Sequence, residues 1–173
     1  MSYFAAAVAR GPAGWAAVEL DLNRVADLED VADLMRDVDA EAALALLFVE
    51  ADDEYLAIAR LDDGEDLRVF GSDASFADES RLGAVLLAET APPVVDLDDE
   101  EDPVAVDDDE AGDAAAPPPD ADPVGDPELL ADLGVPAAKL LALCAREGLL
   151  PSDVTAEVGQ TIGCADEIEA LRE

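Results

Sequence analysis

The chain has 173 residues and carries 44 acidic side chains against nine basic ones, no histidine, and a formal net charge of −35 at pH 7. Proteins that bind nucleic acids unaided do so largely with Lys and Arg, so this charge opposes direct binding of tRNA or DNA, and equally of anionic membranes. The missing histidine also excludes Ser-His-Asp triads and His-ligated metal sites.

An acidic segment divides the chain. Residues 89–126 contain fifteen acidic residues, seven prolines and no Lys or Arg, a composition that cannot bury enough apolar surface to offset the entropy of ordering. We therefore predict a disordered linker at 89–126, between a sheet domain at 1–88 and a small helical module at 127–173. Because no stretch has the about 18 apolar residues of a membrane helix, and no signal-peptide pattern occurs, we expect a cytoplasmic protein.

The first module is predicted to contain five strands and two helices in the order ββαβββα. An apolar face at helical spacing runs from Val25 to Val38, with Asn23 as its predicted N-cap. Asp73 is predicted to cap a second helix that continues to about Ala88. The strands are expected at Tyr3 to Arg10, Trp15 to Leu20, Leu44 to Val49, Tyr55 to Leu61 and Leu67 to Phe70. This order predicts an α+β fold in which helices pack on a five-stranded, mostly antiparallel sheet.

Helical signals return after Asp126, with Pro127 suited to the first position of a helix. Four short helical segments are predicted here. They comprise a turn that holds Leu129, Leu130 and Leu133 and stops at Gly134, a helix between Pro136 and Gly148, a helix capped by Ser152 and ended by Gly163, and a last helix marked by Ile168 and Leu171. A module this short has a marginal core, so we expect it to dock on the sheet domain or on another protein.

Chemically active side chains are sparse or badly placed for catalysis. Glu50 and Asp53 form a close pair of carboxyls, but we expect both in a solvated turn, whereas acid–base chemistry needs one carboxyl shielded from water. Cys144 and Cys164 fit neither a zinc nor a redox pattern and are predicted to be part-buried free thiols. Residues 107–113 begin a calcium-loop pattern that lacks two of its oxygen ligands. We therefore predict no catalytic, cofactor-binding or metal-binding residues, no cofactor, and no enzyme activity.

Aromatic and arginine side chains allow two interpretations each. The aromatics fall in predicted strands and helices, where core packing is favoured over binding: they are Tyr3, Phe4, Trp15, Phe48, Tyr55, Phe70 and Phe76. Arg60, Arg68 and Arg81 are isolated cations among acids. Pairing with neighbouring Asp or Glu is favoured for these arginines over recognition of a partner's carboxylate or phosphate.

Two sets of short stretches, one on each side of the linker, carry a family resemblance. The first set is Tyr3-Phe4-Ala5-Ala6, Trp15 with Glu19-Leu20-Asp21-Leu22, Leu46-Leu47-Phe48-Val49-Glu50 with Asp53-Glu54, and Arg68-Val69-Phe70 with Ser72-Asp73. The second set is Asp126-Pro127, Leu129-Leu130-Ala131-Asp132-Leu133-Gly134, Leu143-Cys144, Glu147-Gly148-Leu149-Leu150-Pro151 and Gly163-Cys164-Ala165-Asp166-Glu167. In order and spacing these stretches resemble the tRNA adenosine deaminase-associated proteins of GC-rich bacteria. Two positions depart from that pattern, where we expect an aromatic in place of Leu56 and an apolar β-former in place of Gly71.

The resemblance implies a link to the deaminase that forms inosine at the tRNA wobble position, and it brings no catalytic residues with it. We therefore expect a non-enzymatic accessory protein whose protein partner is that deaminase, bound through the sheet domain or the helical module. The alternative is an acidic nucleic-acid mimic that occupies a basic RNA- or DNA-binding surface of a partner. We favour a self-repelling spacer as the role of the linker. Oligomeric state stays open.

Overall fold

A computed structural model of the chain describes residues 3–88, 123–146 and 149–172. The described residues form an α+β fold with six strands and six α-helices. The strands are β1 (Tyr3–Gly11), β2 (Gly14–Glu19), β3 (Leu44–Ala51), β4 (Tyr55–Asp62), β5 (Asp66–Gly71) and β6 (Val124–Gly125). The helices are α1 (Leu28–Val38), α2 (Ser75–Glu79), α3 (Arg81–Leu86), α4 (Ala137–Ala145), α5 (Pro151–Ile162) and α6 (Ala165–Arg172), and a 3-10 turn covers Ala131–Leu133. No helix in these ranges is both long and apolar enough to cross a membrane.

All six strands belong to one antiparallel sheet, in the order β2-β1-β3-β4-β5-β6. The α+β class and the antiparallel pairing confirm the prediction, but the number of strands was wrong. The sixth strand, β6, has only two residues and pairs Val124 with Gly71 on the outer side of β5. A strand this short shows no alternation of apolar and polar residues, so the sequence could not reveal it.

Helix boundaries differ from the prediction where main-chain geometry decides them. Asp27, not Asn23, is the N-cap of α1, because its side chain accepts a hydrogen bond from the amide of Asp30. The single helix predicted from Asp73 to about Ala88 is two helices. Ser80 has extended backbone between them, and its hydroxyl caps α3 by accepting from the amides of Leu82 and Gly83.

The C-terminal helices end largely where the sequence predicts. Gly134 follows the 3-10 turn and Gly163 follows α5, both in the left-handed conformation that glycine adopts without steric cost. The predicted cap of α5 was wrong, because Leu150 is the N-cap and Pro151 the first helical residue. Asp153 accepts a hydrogen bond from the amide of Leu150, which satisfies one exposed donor of the helix start.

Helices cover both faces of the sheet. On one face, α1, α2 and α3 pack on alternate residues such as Ala7 and Leu47, and we call this the first core. On the other face, the segment from Leu129 to the end of α6 packs on the residues between them, such as Val8 and Phe48, and forms the second core. Continuous apolar runs are typical of strands buried on both faces. The helical module therefore docks on the sheet of its own chain.

Candidate interaction surface

Arg60 connects the helical module to the sheet through hydrogen bonds. This β4 residue is 7% exposed and points into the interface with the 129–133 turn. Its guanidinium donates to the Leu129 carbonyl at 2.5 Å, to Asp132 Oδ2 at 2.9 Å and to Asp62 Oδ2 at 3.0 Å. The hydrogen bond to Asp132 raises the pKa of Arg60 and lowers the pKa of Asp132. The predicted pairing of Arg60 with neighbouring acids is confirmed.

A second contact fastens the end of α6. Arg172 donates to Glu50, which lies on β3 and is only 7% exposed, and its guanidinium stacks 4.4 Å above the centroid of the Phe4 ring. The prediction that Glu50 lies in a solvated turn was therefore wrong, although Asp53 does lie exposed in the β3–β4 turn. Glu50 serves as the buried partner of an arginine, which neutralises a charge that burial would otherwise penalise.

The other two arginines singled out in the sequence, Arg68 and Arg81, are also engaged. Arg68 bonds Asp62 at 3.1 Å and Asp126 at 3.4 Å, as predicted. Arg81 instead donates to the main-chain oxygens of Asn23 and Val25, so it holds the β2–α1 connection against α3. Both arginines therefore stabilise contacts between elements of the fold.

Most of the aromatic residues are packed as predicted. Phe48, Phe70 and Phe76 are fully buried, and Tyr55 stacks on Phe76 with ring centroids 5.1 Å apart. The three others, Tyr3, Phe4 and Trp15, are half-buried. Trp15 packs against the second core from the outermost strand, with its indole beside Gly163.

The two cysteines are free thiols in the helical module, as predicted, but Cys164 is fully buried and not part-buried. Cys164 is buried and Cys144 half-buried, and burial raises the pKa of each thiol to about 12. A thiol with so high a pKa is a poor nucleophile and a poor metal ligand near neutral pH. In the described ranges, no group of three or more Cys, Asp or Glu residues could hold a metal ion. The partial calcium-loop pattern at 107–113 lies outside those ranges.

A cleft of about 450 Å³ opens beside the C-terminal end of α1, between that helix and the β4–β5 turn. Its walls carry Arg36, Asp39 and Asp63 among others. Arg36 donates to the Gly64 carbonyl at 2.6 Å and pairs with Glu29 and Asp33 on its own helix. The cation of this cleft is therefore already engaged by the chain itself.

β2 forms one edge of the sheet, with its outer side turned away from β1. Leu20 donates to the Ala5 carbonyl at 2.9 Å, which marks that residue pair as hydrogen-bonded. Bonded and non-bonded pairs alternate in an antiparallel ladder. Ala16 and Val18 therefore bond β1, whereas three residues of β2 direct their main-chain N–H and C=O groups outwards: Trp15, Ala17 and Glu19.

The opposite edge of the sheet is partly occupied by β6. Asp126 donates to the Val69 carbonyl at 3.0 Å, and Val124 pairs with Gly71, so β6 occupies outward groups of β5. No such strand lies along β2: in residues 3–88, 123–146 and 149–172, no hydrogen bond reaches the outward groups of this strand. Val18 is 42% exposed and is one of two large apolar side chains exposed in those ranges.

A family model described as Rv3753c-like tRNA adenosine deaminase-associated protein matches residues 3–165, which is most of the chain and includes the sheet and the helical module up to the first residue of α6. This match confirms the resemblance found in the sequence. No curated protein and no solved structure matches the chain.

Proposed function

We propose that this chain, which belongs to the family of Rv3753c-like tRNA adenosine deaminase-associated proteins, is a non-enzymatic accessory protein of the cytoplasm that binds the tRNA adenosine deaminase. The family description carries the proposal, because it links the chain to a deaminase and does not describe the chain as one.

The surface of the chain supports a protein partner of opposite charge. An enzyme that holds tRNA presents Lys and Arg to the phosphate backbone. This chain has 44 acidic side chains and nine basic ones, and several of those basic groups are engaged inside the fold, as Arg60 and Arg172 are. Complementary charge speeds the encounter of two proteins and orients them. A basic partner is therefore favoured over an acidic one.

Co-purification tests the proposal. The tagged full chain and the untagged deaminase from the same genome would be co-expressed, and the complex captured at moderate salt with and without nuclease treatment. We expect a stoichiometric complex that survives nuclease. An unrelated protein of similar negative charge serves as the control for non-specific attraction. If the deaminase fails to co-purify under either condition, or if the control captures it equally well, the proposal is wrong.

The alternative function is a nucleic-acid mimic. Residues 89–122 favour it, because they contain many Asp and Glu residues and no Lys or Arg. A mimic would compete with tRNA for the same basic surface, and its affinity would fall steeply with salt. Replacing the Asp and Glu residues of 89–122 by Asn and Gln tests this idea on the full chain. The mimic requires that binding is lost, whereas a spacer role requires that binding is kept.

A further inference from the structure

We propose that the outer edge of β2 accepts an extended, basic segment of the partner as an additional strand of the sheet. This inference rests on the proposed function, because it names the surface and the kind of segment that the deaminase would use. Addition of a strand to an open sheet edge gives affinity through main-chain hydrogen bonds, and selectivity through the side chains that flank them.

The main chain of β2 is ready for such pairing. Trp15, Ala17 and Glu19 each direct one N–H and one C=O away from β1, at the spacing that an incoming strand requires. The strand is six residues long, close to the usual length of a strand in globular proteins. The other edge of the sheet is less available, because β6 pairs with Phe70 and Gly71 of β5.

β2 itself lacks the Lys, Pro and bulges that commonly protect an edge. Proteins block exposed edges with Lys, Pro, bulges or a covering loop. β2 reads Gly-Trp-Ala-Ala-Val-Glu, with no Lys and no Pro, and its register with β1 is continuous from Gly14 to Glu19. Helix α6 packs against the side of the strand that carries Trp15 and Ala17, while Val18 on the opposite side stays 42% exposed. An added strand could therefore pack an apolar side chain against the exposed Val18.

The charges around the edge select a basic segment. Glu19 ends the strand on the side of α6, and Asp21 follows it in sequence. The helix that packs against β2 carries Asp166, Glu167 and Glu169. Lys or Arg side chains of an incoming strand would meet Glu19 and Asp21 at that end of β2, whereas the exposed Arg10 lies opposite Trp15 at the other end.

A second copy of the chain fits the same edge poorly. Two copies of charge −35 repel one another. Antiparallel pairing of β2 with itself about Ala17 would place Glu19 of one copy opposite Trp15 of the other, so the directly opposed side chains would form no ion pair. The basic segment of a different protein is therefore the better occupant.

Proline substitution tests the edge without removing a bond of the sheet. In Ala17→Pro and Glu19→Pro the lost N–H points outwards, a position that tolerates proline in an edge strand. Ala17→Val and Glu19→Gln are the matched controls that keep the N–H. Each full-length variant would be compared by thermal unfolding and by affinity for the deaminase. We expect both proline variants to fold and to bind at least about tenfold more weakly, because each loses a main-chain hydrogen bond to the partner.

Amide hydrogen exchange supplies a second measurement on the wild-type chain. We expect the N–H groups of Trp15, Ala17 and Glu19 to exchange freely in the isolated chain and to become protected in the complex. A synthetic peptide of alternating Lys and Val serves as a second probe, which does not depend on the deaminase. The same three amides should be protected by the peptide in the wild type, while both proline variants should bind it at least about tenfold more weakly.

The outcomes separate the two proposals. If the deaminase binds and the proline variants bind as the wild type does, the edge inference is wrong and the proposed function stands. If the deaminase does not bind but the peptide protects the three amides, the edge inference stands and the proposed function is wrong. If neither probe protects them, the edge inference is wrong. A dimer of the wild type that the proline variants abolish would show that the occupant is a second copy, which also overturns the inference.

Discussion

The sharpest test of the interface between sheet and helical module is the replacement of Arg60 by methionine. Methionine keeps much of the apolar stem of the side chain but removes all of its hydrogen bonds. The three acceptors that lose a donor differ in their access to water. Leu129 is fully buried, Asp62 keeps its bond to Arg68 at 3.1 Å, and the side chain of Asp132 is 61% exposed.

These differences set the size of the expected effect. The Leu129 carbonyl loses a charged donor, and a buried acceptor left without a partner costs about 1–3 kcal/mol. Asp132 regains water, so its share is at most about 1 kcal/mol. We therefore expect Arg60→Met to lower the free energy of unfolding by about 2–3 kcal/mol. The reciprocal change, Asp132→Asn, should cost less than about 1 kcal/mol, because Arg60 keeps its other two acceptors.

Denaturant unfolding followed by tryptophan fluorescence measures both changes. The chain has a single tryptophan, Trp15, and it packs against the second core, so its emission reports on the docking of the helical module. Circular dichroism at the same denaturant concentrations reports on the whole fold. Equal losses for Arg60→Met and Asp132→Asn would refute the reasoning, since they would place the energy in the exposed ion pair and not in the buried carbonyl. An unchanged unfolding midpoint for Arg60→Met would refute it outright.

Three further predictions concern an ion pair, two glycines and the cysteines. Arg172→Ala leaves the buried Glu50 without its partner and should lower the free energy of unfolding by about 2 kcal/mol, measured by denaturant unfolding. Adding Glu50→Gln to the same chain should restore most of this loss. Gly83→Ala places a methyl group 2.1 Å from the carbonyl oxygen of Phe76 and should lower the free energy of unfolding by about 2–3 kcal/mol. Gly71→Ala should cost less, because its nearest neighbour is a flexible leucine side chain 2.7 Å away. Thermal unfolding of both variants checks this order. Because burial raises the pKa of both cysteines to about 12, the thiols stay protonated from neutral to mildly alkaline pH, and iodoacetamide should alkylate the folded chain far more slowly than the denatured chain, as read by mass spectrometry. Equal rates would contradict the burial.

The sequence predicted the sheet well because its strands are marked by long apolar runs. β3 and β4 are buried on both faces and lie within about two residues of their predicted bounds. What the sequence could not show depends on local main-chain geometry. The break at Ser80 falls in a stretch whose apolar spacing continues on both sides, and β6 is too short to carry a period.

Residues that act across long sequence distances were the hardest to predict. Glu50 follows an apolar run and precedes an acidic turn, so it was assigned to the solvated turn. Its partner Arg172 lies 122 positions away in sequence, and no local pattern links the two. Gly71 is explained in a similar way, because a Cβ atom there would lie 2.7 Å from the side chain of Leu87. The division into modules at 1–88 and 127–173 with a disordered linker at 89–126 stays a prediction, because residues 89–122 lie outside the described ranges. The two modules pack together in the second core.

The negative charge of the chain and the main-chain groups of β2 are expected to affect different steps of binding. Both faces of the sheet are covered by the chain's own helices, so among the described residues the outer surfaces of those helices and the edge of β2 are the surfaces best placed for a partner. Long-range charge acts mainly on the rate of encounter and is screened by salt, whereas short-range hydrogen bonds act mainly on the rate of dissociation. Added salt should therefore slow the formation of the complex, while proline at Ala17 should shorten its lifetime. A partner held by charge alone would respond to salt and be indifferent to proline.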